Sequence, residues 1–391
     1  MINGCQIRIL TSVAEIEELR DVWKCWPSLP YSDIDFFLTS LKTHTNVVTP
    51  HVIVISSADV PRAMAVAYVE EGHLPFKISH LSLFRARLRT LTITPGGLLG
   101  DQSGTVVNAL VSTLLATLKS GAVDAVRLPQ LRSDSEFFKL LQWKTPFYCR
   151  DHSLEFRQHW KMQLPGNSAD IYAGYSSEHR KKLRWQLKNF EKNFPGGLRI
   201  HCFQKPEELP RMIEDVEAIS RMTYQRVLGA SFIDTPATRA RVALEAERGW
   251  LRMPVLYVND EPCAYWWGTA YNQTFYSEAM GFVPAYRKFS PGTYLLIKTL
   301  EDLCQNGMKD LDFGAGDFHY KQKFGTVNWE ETMVFNIFAP RLRPVALNLA
   351  NSLIGQFRFL SRSVVNRLHL PKLTRKLAHR GQGGGEHLLV R

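Results

Sequence analysis

The stretch that decides the fold runs Phe275-Tyr276-Ser277-Glu278-Ala279-Met280-Gly281-Phe282, then Tyr286-Arg287-Lys288-Phe289-Ser290-Pro291-Gly292-Thr293. After a helical segment it continues as Leu311-Asp312-Phe313-Gly314-Ala315-Gly316-Asp317. It reads as strand, turn, helix and strand. Thr274–Gly281 is the first strand, Thr293 to Asn306 has helical spacing with Gly307 as its stop, and Lys309–Phe313 is the second strand. Arg287-x-x-Ser290-x-Gly292 lies between the first strand and the helix. A turn at a helix start points backbone N–H groups outward, and the helix dipole adds positive potential, which suits a pyrophosphate. Arg287 and Lys288 add charge, and Gly292 lets a phosphate come close to the backbone. Ser290-Pro291-Gly292 also reads as a plain helix cap with Pro at its first position.

Upstream of this core, three strands follow one another: Met253–Val258, Cys263–Tyr271 and Thr274–Gly281, with turns at Asn259-Asp260-Glu261 and Asn272-Gln273. Before them come a charged helix from Ser168 to Lys192, a strand Leu198–Phe203, and helices Glu207–Arg226 and Pro236–Glu247. The first half uses the same grammar. It has a strand Gln6–Thr11, a helix Glu15–Trp26, and a hairpin from His51–Ser56 and Ala63–Tyr68. A strand Leu88–Thr94, a turn at Pro95-Gly96-Gly97, a helix Val106–Lys119 and a strand Ala122–Leu128 complete it. Gly104-Thr105, helix, Gly121, strand lines up with Gly292-Thr293, helix, Gly307, strand. The pattern is that of two similar α/β domains.

Length and composition agree. The chain has 391 residues, more than one core usually organises. With 45% hydrophobic and 22% charged residues it has an ordinary globular balance. No apolar run reaches the roughly 20 residues of a membrane span, and Met1 to Gln6 lacks a secretory signature, so the expectation is a cytoplasmic protein. The six cysteines are scattered without a Cys-x-x-Cys pair and read as free thiols, with no metal site.

The net charge of +11 is unevenly placed. From Arg341 onward stand ten Lys/Arg and one acid, Glu386, so this stretch carries +9 and the body is near neutral. A nucleic-acid surface is therefore disfavoured. Leu353, Phe357, Leu360, Val364 and Leu368 recur at three- and four-residue steps, with Arg358, Arg362 and Arg367 between them. This basic amphipathic helix can dock on protein, the protein's own body or a partner, or lie on an anionic membrane surface. The second use would make the protein peripheral to the inner face of the membrane.

The phosphate-loop segment resembles the Arg/Gln-x-x-Gly-x-Gly/Ala loop of the GNAT acyltransferases, with Ser290 in place of the first Gly. Tyr286–Thr293, Leu311–Asp317, Tyr320-Lys321 and the basic segment Tyr175–Arg184 resemble the CelD/BioF2-like branch, related to the FemABX peptidyltransferases. The resemblance covers about residues 150–340 well and the first 150 in outline. It implies tandem GNAT-like domains (α+β layered), each a mixed, mostly antiparallel sheet flanked by helices. The first, 1–150, would be degenerate, the second, 151–340, would carry the active site, and 341–391 would be the basic helix and tail.

It also implies that a thioester lies between two splayed strands, here Thr274–Gly281 and Lys309–Phe313, with acyl-CoA as co-substrate. Arg287, Lys288, Ser290, Gly292 and Thr293 would then bind the donor. Glu278 reads as a general base or as one half of a cross-strand ion pair. Asp312 points into the site or holds the following Gly turn by an Asx bond. Tyr320 reads as the group that protonates the leaving thiolate or as a packed tyrosine, and Lys321 as a group that binds phosphate or stabilises negative charge or as a solvated helix residue. Trp266 and Tyr276 are candidates to line the acceptor pocket, and Arg180 and Arg184 to hold an acidic substrate or to form a solvated helix face. The implied reaction is transfer of an acyl group to an amine, a small molecule or an amino sugar of a cell-surface or exopolysaccharide precursor. FemABX-like transfer from aminoacyl-tRNA and a non-catalytic scaffold role are the alternatives.

Overall fold

The computed structural model describes residues 5–78, 81–152, 154, 156–227, 229–315 and 327–367. Its strands are β1 Gln6–Leu10, β2 Val47–Pro50, β3 Val52–Ser57, β4 Val60–Ile78, β5 Leu81–Gly100, β6 Ala125–Arg132, β7 Phe156–Gln163, β8 Leu198–Phe203, β9 Leu251–Val258, β10 Glu261–Tyr271, β11 Thr274–Phe282, β12 Asp310–Ala315 and β13 Val327–Phe338. Its helices are α1 Val13–Glu17, α2 Arg20–Lys24, α3 Ile34–Thr43, α4 Gly104–Lys119, α5 Glu136–Lys144, α6 Ser177–Asn193, α7 Leu209–Arg221, α8 Tyr224–Val227, α9 Pro236–Glu247, α10 Pro291–Gln305 and α11 Leu342–Arg367. They fall into two units, residues 5–156 with 331–367 and residues 157–315 with 327–330.

In the first unit the strand order is β1-β3-β4-β5-β6-β13, with β2 also pairing β4. Only β5 and β6 run parallel, joined by α4. Both faces of this sheet are covered, which explains the unbroken apolar run Val52–Ile55. Ile53 and Ile55 pack with Leu110, Leu114 and Phe335 on the α4 side, while Val52 and Val54 pack with Trp23, Ile34 and Phe37 on the other.

The second unit repeats the plan with the order β7-β12-β11-β10-β9-β8. Only β11 and β12 run parallel, joined by α10. From Ala264 to Trp267 the side chains of β10 alternate. Trp266 belongs to the core under α6 and α10, and Tyr265 and Trp267 to the core under α7 and α9. Each unit is thus a mixed, mostly antiparallel sheet with helices on both faces.

Several expected boundaries move. Pro95-Gly96-Gly97 does not end its strand. β5 continues to Gly100 through a bulge between the pairs Ala67↔Ile93 and Ala65↔Leu98. Gly96 has φ 70° there, and a Cβ on Gly97 would stand 2.8 Å from the Val66 carbonyl, so the glycines serve the bulge. The helix expected from Ser168 is a short 3-10 turn, Ser168–Tyr172, followed by α6. The Ser176 hydroxyl accepts the His179 N–H at 3.2 Å and sets that start. The helix expected over Glu207–Arg226 divides into α7 and α8. Strands β7 and β13 were not anticipated.

The basic helix α11 is anchored by a polar residue. Asn348 donates to the carbonyls of Tyr148 (3.0 Å) and Arg150 (2.6 Å), while Leu342, Leu349 and Leu353 are exposed. The side chains expected at Phe357, Leu360 and Val364, and residue Leu368, lie outside the described residues. Among the described residues no helix is long and apolar enough to cross a membrane, and no cluster of His, Cys, Asp or Glu could hold a metal ion.

Candidate active site

The site is built where β11 and β12 part. They pair in parallel for three rungs only, Thr274↔Asp310, Phe275↔Leu311 and Tyr276↔Asp312. Beyond the third rung β11 runs on to Phe282 and β12 to Ala315 without pairing each other. Just past this fork β11 is also irregular against β10. Trp267 faces Ala279 and Gly268 faces Ser277, so Glu278 is an extra, bulged residue.

The fork leads into the loop read from sequence as an anion cradle. Pro284–Phe289 is a 3-10 turn, and Ser290 adopts left-handed backbone, φ 58° and ψ 50°, before α10 begins at Pro291. Left-handed backbone favours glycine, so Ser290 holds a conformation that explains the Gly of the related motif. No acid stands in the first turn of α10. The Thr293 and Tyr294 amides both bond to the Ser290 carbonyl. Pro291 has no N–H, which leaves the Gly292 amide as the outward donor of this turn. A Cβ at Gly292 would meet only Phe282, at 3.6 Å, so open space adjoins its backbone. Arg287 and Lys288 are exposed beside it.

Helix α6 clamps the loop. Gln186 donates to the Ser290 hydroxyl at 3.0 Å, Phe190 stacks on Phe289 with ring centroids 5.7 Å apart, and Phe194 meets both Tyr286 and Phe289 edge-on. Each ring pair contributes about 0.5–1.5 kcal/mol beyond its buried area. The apolar side of α6, Leu183, Leu187 and Phe190, faces inward, which turns Lys181, Lys182 and Arg184 outward. Arg180 is half-buried on the same helix, and the Arg184 guanidinium lies 5.9 Å from the Tyr172 ring.

The face of the sheet covered by α7 and α9 carries the charged groups. Glu278 is not a free carboxylate. Its side chain is 4% exposed and pairs with Arg241 of α9 at 2.6 Å. Arg241 also bonds Glu245 at 2.8 Å and lies over the Trp267 ring at 4.4 Å. Glu245, fully buried, accepts from Trp267 Nε1 (3.0 Å) and Thr269 Oγ1 (2.8 Å). Burial raises its pKa above the usual carboxylate range, with Arg241 opposing. Of the two readings of Glu278, the geometry shows the ion pair, made across to a helix rather than to a strand.

Of the two readings of Asp312, the geometry shows the structural one. One carboxylate oxygen accepts the Gly314 N–H at 2.7 Å, the Asx bond that holds the Gly turn. The same carboxylate meets His159 of β7, with Nε2 at 2.7 and 2.9 Å from its two oxygens. Tyr276, on the same rung, is buried, and its phenol is pushed up to about 12, by burial first and by Asp312 second. It is therefore a neutral hydroxyl.

Trp266 corrects one expectation. It has no exposed surface, its indole N–H donates to Ser277 Oγ at 2.8 Å, and it packs against Phe275 and Phe313. It is a core residue because its strand position faces α10. Tyr320 and Lys321 lie outside the described residues. The cysteines are free thiols, as read, and burial pushes Cys263 up to about 12 and Cys202 to about 11. The residue that sequence reasoning missed is His159. It sits on an unanticipated strand, 153 positions from its partner, and no local spacing marks it.

Comparison with known proteins agrees with this geometry. Residues 177–322 match the acetyltransferase (GNAT) domain family. No curated protein matches the sequence. Among solved structures, FemX superposes with a TM-score of 0.56 at 13% identity, over 85% of this chain and 97% of FemX. The C-terminal domain of a putative lysylphosphatidylglycerol synthetase from Agrobacterium fabrum gives 0.52 at 12% identity, over 88% of this chain and 96% of that domain. A tandem GNAT protein from the clavulanic acid biosynthesis pathway gives 0.49 at 11% identity, over 86% and 100%. Such identities speak of fold alone. Residues 177–322 are thus similar to a GNAT acetyltransferase domain, and the chain shares its fold with FemX.

Proposed function

We propose that this protein, as a member of the CelD/BioF2-like branch, transfers an acyl group from acyl-CoA to a primary amine. The acceptor we favour is an amino sugar of a cell-surface or exopolysaccharide precursor. The observation that carries the donor assignment is the loop at the fork. Left-handed Ser290, the outward Gly292 amide, an acid-free helix start and exposed Arg287 and Lys288 converge on one open spot. That combination fits a pyrophosphate at a helix N-terminus. The thioester then reaches the unpaired segment beyond Tyr276↔Asp312, where free strand amides can stabilise the oxyanion of the tetrahedral intermediate. The acceptor enters on the α7/α9 face, where the polar groups are.

A thermal-shift series with acetyl-CoA, longer acyl-CoAs and free CoA on wild type and Arg287→Ala tests this reading. The expected result is a shift with CoA esters that weakens in the variant. No shift with any CoA compound sinks the donor assignment and directs the search to acyl-carrier protein and aminoacyl-tRNA.

A further inference from the structure

We propose that His159 is the general base of the transfer, with Asp312 as its positioning residue. The proposal rests on the acyl-transfer reading above. His159 and Asp312 come from neighbouring antiparallel strands, β7 and β12. Trp160 and Met162 face the α10 core, so His159 and Lys161 face the α7/α9 side with Asp312. Asp312 occupies the last rung before the strands part, which puts the pair at the mouth of the fork.

The hydrogen bonding is lopsided. His159 Nε2 is held by both oxygens of Asp312, and a carboxylate accepts, so Nε2 carries the proton. In the neutral ring Nδ1 is then a lone pair. It is buried and has no hydrogen-bond partner among the described residues, and His159 as a whole is 8% exposed. An orphaned buried acceptor costs about 1–3 kcal/mol, and here it stands on a ring that a carboxylate already orients. Carboxylate, imidazole and unpartnered lone pair, in that order, form an oriented base.

Several charged and titratable groups on the same face are engaged elsewhere. Lys161 pairs with Glu330 at 3.4 Å, Arg241 holds Glu278 and Glu245, and the Tyr276 phenol stays neutral beside Asp312. Glu278, tied to Arg241, is the poorer base.

The step balances. The amine nitrogen forms a bond to the thioester carbon while Nδ1 takes its proton, giving an imidazolium stabilised by Asp312. The carbonyl then re-forms as the C–S bond breaks, and the departing thiolate takes the proton from the imidazolium, so amide and free thiol are the products and His159 is neutral again.

Two measurements decide it. In wild-type protein labelled with 15N-histidine, the ring signals of His159 are identified by their loss in His159→Gln, with His159→Asn as a second variant for assignment. At pH 8 we expect the neutral tautomer protonated at Nε2. A ring protonated at Nδ1, alone or together with Nε2, overturns the proposal whatever the donor proves to be. The second follows thiol release from acetyl-CoA with a panel of primary amines headed by glucosamine. With the amine that wild type acetylates, His159→Gln should fall at least about a hundredfold while its acetyl-CoA thermal shift is kept. Asp312→Asn, whose amide donates to Nε2, should move the ring proton to Nδ1 and lower kcat without raising KM for acetyl-CoA. A His159→Gln protein with wild-type transfer removes the base and leaves the donor assignment standing. A wild type that binds no CoA ester removes the donor assignment and leaves the tautomer to judge the pair.

Discussion

The two units make the same strand-helix-strand turn and furnish it differently. In each, a parallel pair holds for three rungs, Thr90↔Ala125 to Thr92↔Arg127 in the first and Thr274↔Asp310 to Tyr276↔Asp312 in the second. In the first unit two carboxylates attend the helix start. Asp101 accepts the Ser103 N–H at 2.8 Å, and a Cβ on Gly104 would stand 3.1 Å from Glu136 Oε1. Those acids already answer the positive end of α4. In the second unit the start of α10 has no acid, and its approach carries Arg287 and Lys288. The third rung differs likewise: Thr92 and Arg127 against Tyr276 and Asp312. One backbone plan thus carries neighbouring carboxylates at the approach to one helix and basic side chains at the approach to the other.

The largest effect expected tests whether the charged face of the second unit is also structural. Arg241→Met strands Glu245 and Glu278 in the interior and should lower stability by about 3–5 kcal/mol, read from urea unfolding. A loss below about 1 kcal/mol would mean that those carboxylates are not buried as the structure has them.

Next comes the contrast between the helix starts. With acetyl-CoA at about a hundred times its Kd, the ligand should stabilise wild type by about 2.7 kcal/mol. A tenfold weaker Arg287→Ala protein should retain about 1.4 kcal/mol at that concentration. Asp101→Lys, which gives the first unit a cation but not the loop, should restore nothing. If it restores the shift, charge alone decides and the comparison collapses.

A slope comes third. Burial raises Glu245 above its unfolded value, so its contribution is fully present below about pH 4.5 and is lost as pH rises through the folded value. Stability of wild type should therefore decline from the acid side towards pH 8, and less so in Glu245→Gln. Denaturation midpoints at pH 5, 6.5 and 8 show the difference, and parallel curves would assign the slope elsewhere.

The smallest effect concerns Ser290. Glycine there relieves about 1–2 kcal/mol of left-handed strain but loses the bond from Gln186, worth about 0.5–1.5 kcal/mol. Ser290→Gly should therefore change stability by less than about 1 kcal/mol, in either direction, by calorimetry. A larger loss would show that the tether to α6, rather than the turn conformation, sets the loop.

What could be read beforehand was what is local. The hairpin β3–β4, the stop at Gly307 and the turn into α10 are written in neighbouring residues, and the fork was inferred from a family likeness. Strand ends were less legible, because Pro95-Gly96-Gly97 signals a break and a bulge equally well. The side-chain partners were least legible. Glu278 meets Arg241 and Asp312 meets His159 across distances that no spacing encodes, and Trp266 differs from Trp267 only by which side of a strand it takes.

The order of segments has a consequence for synthesis. Strand β13 pairs with β6, Asn336 opposite Arg127, although the whole of the second unit lies between them in sequence. The second unit is almost uninterrupted, while the first must await its last strand. On the ribosome the second unit can therefore close its sheet early. The amino-terminal half, though made first, carries an open flank at β6 until the chain returns. That flank is an exposed strand edge in a half-made protein, a place where folding helpers would be needed most.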